Sequence, residues 1–149
     1  MGIDQVRAGL AEWASGGNES VYSMAAEFGA SRESVEADPL SILPRWNDFI
    51  SRLPLDEFDD DDWFWLQSQV AAYLAFVLIR VHGGRWDVVP DEASPDRFVY
   101  VVAVTGWDGR ERNVDLLDLV YLDLAERPPV VTRMLGNAEA AAGVTIPDA

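Results

Sequence analysis

Apolar residues recur along the first third of this chain at steps of three and four. Ile3, Val6, Leu10 and Trp13 share one helical face, and the pair Gly16-Gly17 predicts the end of that helix. Asn18 then predicts the cap of a second helix, with Val21, Met24, Ala25 and Phe28 on one face up to Gly29. Ser31 predicts the cap of a short third turn, which Asp38-Pro39 breaks or redirects. From Leu40 to Leu53, the residues Ile42, Leu43, Trp46, Phe49, Ile50 and Leu53 restore the helical step. Pro44 fits the first turn of that segment, where a missing amide donor costs little.

Pro54 and an acidic run separate this part from a long apolar segment. The segment predicts a helix from about Asp60 to His82, stopped by Gly83-Gly84 and about 35 Å long. From Val70 onward it has no polar face, so Val70, Leu74, Val77, Leu78 and Val81 are expected to be buried. The period then changes to two. Arg85 to Val89 reads as a short strand, Pro90 to Asp96 as a polar loop, and Arg97 to Trp107 as a long strand. The long strand is apolar on both sides, as a central strand would be. Asp108-Gly109 marks a hairpin into a third strand, Arg110 to Val114. Asp115 caps a helix through Leu124, Pro128-Pro129 punctuates it, and Val130 to Ala142 forms a last helix ending at Gly143. The tail Val144 to Ala149 is expected to fray. The predicted class is α+β: a helical N-terminal half, a long central helix, a three-stranded antiparallel meander and two C-terminal helices.

The 149 residues suffice for one domain with its own core, and 49% of them are hydrophobic. A single domain is therefore expected over 1–149, with 1–54 its helical part and 55–143 carrying central helix, sheet and C-terminal helices. No cysteine is present, which excludes disulfides, thiolate metal sites and cysteine nucleophiles. All 11 bases are arginine, so Schiff-base and P-loop lysine chemistry are excluded as well. The unbroken apolar run Val70 to Ile79 covers only about half a bilayer core. Met1 to Ser15 is amphipathic and lacks the order of a signal peptide. A soluble, cytoplasmic protein without membrane contact is the expectation.

Residues Met24 to Val35 resemble the turn of bacterial helix-turn-helix regulators. Ala25 stands at the helix crossing, Gly29 at the turn and Val35 at the packing position. The resemblance implies a DNA-associated regulator acting through residues 24–36. Against it, Asp38-Pro39 ends the second helix early. That helix offers Arg32 against Glu33 and Glu36, on a chain of net charge −15. No nucleic acid partner is favoured.

Catalytic signals are sparse. Asp59 to Asp62 lack the ligand spacing of a calcium loop, Asp115 reads as a cap, and Asp118 and Asp123 read as solvated, so no metal is expected. His82 sits where the helix dipole favours a cation, and no serine elbow accompanies it. Gly83-Gly84 follows a helix, which removes it from any dinucleotide fingerprint. No catalytic residue and no cofactor are assigned; a small hydrolase with an unrecognised carboxylate site remains an alternative.

The concentrated features are acid and tryptophan. Residues 55–62 hold six acids, Asp56, Glu57, Asp59, Asp60, Asp61 and Asp62, and no base. Trp63 and Trp65 follow at once, about 200° apart around a helix. Carboxylates in a first turn suit the free amides and the dipole there. An exposed Trp63 or Trp65 ringed by such charge would be an aromatic anchor of the kind found at binding hot spots. The order from Trp65 to about Gly143 is a long helix containing Ala71-Ala72-Tyr73-Leu74, then Gly83-Gly84-Arg85-Trp86, a meander and a helical pair. It resembles a group of small bacterial domains of uncharacterised function with Gly-Gly-x-Trp after a long helix. That resemblance implies an α+β fold and carries no catalytic residue. The expected function is an acidic, non-enzymatic protein-binding module, immunity- or antitoxin-like, that neutralises a basic protein partner through the six acids, Trp63 and Trp65.

Overall fold

The computed structural model describes residues 2–145. Its elements run α1 (Ile3–Ala8), α2 (Leu10–Glu27), α3 (Arg32–Ala37), a 3-10 turn (Pro39–Ile42), α4 (Leu43–Ser51) and a second 3-10 turn (Leu55–Glu57). Then come α5 (Asp60–His82), β1 (Arg85–Pro90), β2 (Phe98–Thr105), β3 (Glu111–Val114), α6 (Leu116–Leu124) and α7 (Val131–Ala142). The three strands form one antiparallel meander, so the fold is α+β. The tail expected to fray lies outside the described residues from position 146. Val144 is docked, its amide donating to the Glu139 carbonyl at 3.1 Å.

α5 is the spine, and its ends are where the residues direct. The Asp59 side chain and the Asp62 side chain close a reciprocal capping box, and Gly83 takes the left-handed conformation at φ 71° that stops the helix. α5 is long and apolar enough to cross a membrane by length and composition, yet half of its most apolar window is buried inside the fold. α2, α6, α7 and β2 all pack against it. Val70, Leu74, Val77 and Leu78 are fully enclosed. Val81 departs from expectation at 46% exposed. Coverage thins again at the last turn of α5, where Arg80 is exposed too, and an apolar sequence cannot by itself show where coverage stops.

The N-terminal half differs at one place. Gly16-Gly17 does not end a helix and Asn18 does not cap one, because α2 continues through all three. The break falls earlier, at Gly9. Both halves of α2 are anchored: Trp13 stacks on Tyr100 with ring centroids 3.6 Å apart, and Val21, Tyr22, Met24 and Ala25 are buried. Such packing overrides the weak helix preference of two glycines. The Ser31 side chain accepts the Ser34 amide as the cap of α3, and Pro44 lies in the first turn of α4.

Alternation in β2 sends Tyr100, Val102 and Val104 to one face and Val101 and Ala103 to the other. Val102 and Val104 join the core under α5. On the opposite face, Arg85 of β1 and Glu111 of β3 form two hydrogen bonds, at 2.8 and 3.1 Å. The register sets Arg85 beside Ala103 and Glu111 beside Thr105, so the pair reaches across the central strand, where Ala103 is only 1% exposed. The Arg7 guanidinium donates to the Val88 carbonyl, so α1 covers part of the free edge of β1.

Candidate functional site

The acidic run bends into two turns. Asp56 and Glu57 sit on the 3-10 turn Leu55–Glu57, at the rim of a cleft of about 800 Å³ that Arg127, Pro128 and Pro129 close from the other side. Phe58 is extended and packs inward, with its ring 5.2 Å from that of Trp63 in an edge-on pair. Asp59 then starts α5. Its Oδ1 accepts the Asp62 amide at 2.9 Å, and Asp62 Oδ2 accepts the Asp59 amide at 3.2 Å. Asp60 and Asp61 have no such duty and are exposed. Among the described residues, no arginine lies within ion-pair distance of any of the six acids.

The two tryptophans part company, as their angular separation requires. Trp63 is half-buried between Phe58 and Arg127, whose guanidinium lies 4.8 Å over its ring. Trp65 is 42% exposed on another side of α5, near Phe49. The most exposed aromatic of the helix is Phe64, at 64%, which sequence reasoning left out. It stands beside Tyr121 and Leu122 of α6, themselves 65% and 61% exposed, and these residues with Asp60 line a groove of about 370 Å³. The Gln67 side chain donates to the Leu117 carbonyl at 2.8 Å and pins the start of α6 to α5.

The outward turn of Tyr121 and Leu122 comes with an inward turn of Asp123. That carboxylate is buried, accepting from Arg133 at 3.1 Å and Asn137 at 2.8 Å, and so clamps α6 to α7. The expectation that Asp123 is solvated is therefore corrected, whereas Asp118 is exposed. A helix with apolar residues at 116, 117, 119, 120, 121, 122 and 124 cannot hide all of them on one face, and that excess was the available signal.

Other polar clusters are tied up within the fold. Arg32 pairs with Glu36 at 3.2 Å and Glu19 at 3.7 Å, and lies 4.1 Å over the Tyr22 ring. A hydrogen bond from Tyr22, then one from Arg32, holds the Glu36 carboxyl below its usual range. The corner between α2 and α3 buries Ala25 and Val35 and turns at Gly29 with φ 80°, while α3 itself has six residues. The His82 ring donates to Glu139 at 2.8 Å, joining α5 to α7. Among the described residues, no group of three or more His, Asp or Glu is placed to hold a metal ion. No family model, curated protein or solved structure matches the chain.

Proposed function

We propose that this α+β chain is a non-enzymatic protein-binding module whose acidic surface recruits a basic protein, in the manner of an immunity or antitoxin protein neutralising a cationic toxin. The observation that carries this reading is the set Asp56, Glu57, Asp60 and Asp61. All four are exposed, none is engaged by an arginine, and they adjoin exposed aromatic surface. Unneutralised carboxylates at one end of a rigid helix raise the encounter rate with a cationic partner and repel acidic competitors. Asp59 and Asp62 contribute charge but also form the helix start, which gives them a second role.

The test begins with capture of the partner from the native cell and identification by mass spectrometry. Association with the recovered protein is then timed over a range of salt. A basic partner should associate faster at low ionic strength, because exposed charges are screened over ~8 Å at physiological salt. Replacing Asp60 and Asp61 together by asparagine should slow association without unfolding the chain. A partner without net positive charge, or a rate indifferent to salt, defeats the reading.

A further inference from the structure

Gly16 and Gly17 have no explanation within the chain itself. Neither has a positive φ, and a Cβ on either would meet nothing within 4 Å. Glycine in mid-helix is less favourable than alanine, so the pair weakens α2 without relieving any contact in it. What the missing side chains leave open is a groove of about 340 Å³ between α2 and α5. Its lining includes Gly16 and Gly17 of α2 with Ala71 and Ala72 of α5, flanked by the rings of Trp13, Phe64 and Trp86. Phe64 lines this groove and the one against Tyr121 and Leu122, so a single exposed ring joins two apolar hollows.

The charges beside these hollows have one dominant sign. Glu12 is the charged residue of the first. Asp60 lies one turn before Phe64 on the same face of α5 and borders the second. Arg127 also reaches the second, but its guanidinium is stacked on Trp63. We infer that the groove along Phe64 is a docking site for an amphipathic helix of the basic partner, its apolar face against Trp13, Phe64 and Trp86 and its cations toward Glu12 and Asp60. This rests on the proposed recruitment of a basic protein and states where and in what form that protein is held. The groove favours a helix over a strand because its long walls, α2 and α5, are helices whose backbone groups are already paired, and the edge of β1, which contributes Trp86, is partly covered by α1 through Arg7. The absent side chains of Gly16 and Gly17 let a helix approach closely.

The probe is a labelled leucine–lysine amphipathic helix of about 15 residues, titrated by fluorescence anisotropy against the full chain. A glutamate-faced helix with the same leucines and a lysine peptide without leucines serve as controls. The lysine-faced helix should bind best, and Gly17→Leu should weaken it about tenfold or more, equivalent to ~1.4 kcal/mol, with the melting temperature unchanged or raised. Phe64→Ala, at an exposed position, provides the second variant and should weaken binding without unfolding. If the lysine-faced helix binds in a salt-sensitive way but ignores both substitutions, the groove is not the dock, while recruitment of a basic partner stands. If the glutamate-faced helix binds equally well, the cationic occupant is wrong and the recruitment reading loses its support too. No binding of the lysine-faced helix overturns the proposal outright.

Discussion

Asp59 and Asp62 hold one another's backbone amides, at 2.9 and 3.2 Å, so half of the aspartate run is engaged in building the helix that the other half decorates. The division predicts two stability responses from adjacent residues. Asp59→Ala removes the cap and should cost ~0.5–2 kcal/mol in urea unfolding. The pair Asp60→Asn and Asp61→Asn loses only a favourable dipole interaction, ~0.3–1 kcal/mol per residue, and gains relief from like-charge repulsion. The paired variant should therefore stay within ~1 kcal/mol of the parent. A loss well beyond ~1 kcal/mol from the paired variant would mean that all these acids serve the helix start.

Coverage along α5 predicts a second contrast. Leu74 is fully buried, and Leu74→Ala should cost ~2–5 kcal/mol. Val81 is apolar and on the same helix but 46% exposed, so Val81→Ala should change stability by less than ~0.5 kcal/mol. Equal losses from the two would contradict the packing described for the last turn.

A third prediction concerns Asn47. Val130 precedes α7 and has no side chain able to cap it. Asn47, on α4, supplies the acceptor: its Oδ1 takes the Val131 amide at 2.8 Å, and its Nδ2 donates to Thr132 Oγ1 at 2.8 Å. Asn47→Ala should cost ~1–2 kcal/mol, since it both uncaps α7 and separates it from α4. Asn47→Asp, which keeps the acceptor, should recover part of the loss. Chemical denaturation of the two variants side by side decides the matter.

The pH dependence follows from Asp108. Hydrogen bonds from the Arg112 guanidinium, then from the Arg110 amide, hold its carboxyl well below the usual carboxylate range. A carboxyl lowered in the folded state adds stability that is complete above the unfolded value of ~3.9 and is lost as the pH falls toward the folded value. Arg112→Gln should accordingly be less stable than the parent at neutral pH, with the gap narrowing below about pH 4. Arg112 also lies against Gly106 and Gly143, where an added Cβ would collide with its guanidinium. Part of the gap will therefore persist in acid. A gap wholly independent of pH would show that Arg112 acts through packing alone.

Local signals were legible wherever one residue settles a local geometry. The bounds of α5 could be read because Asp59 supplies a cap and Gly83 a left-handed stop, both within a few bonds of the backbone they control. The same holds for Asp115 before α6, Gly143 after α7 and the hairpin turn at Asp108-Gly109. Apolar residues on both sides of Arg97 to Trp107 were enough to make β2 the central strand. The α+β class needed nothing further.

Where the burial of one element depends on another, the chain order was silent. Gly16-Gly17 reads as a stop until Trp13 is seen stacked on Tyr100, 87 residues away, and the continuing α2 turns that glycine pair into an open groove. Asp123 reads as solvated until α7 brings Arg133 and Asn137 to the carboxylate. The acids and Trp65 were visible as surface chemistry, but Phe64 emerged as the exposed ring only once α6 and α2 had taken their places around α5. Caps, turns and periodicity are short-range and act through the residue's own backbone, so the sequence by itself determined the elements and their order from α3 onward, while the break between α1 and α2 at Gly9 escaped it. Exposure is a property of neighbours that meet only in the folded chain, so only the tertiary structure decided which acids are free and which aromatic faces outward.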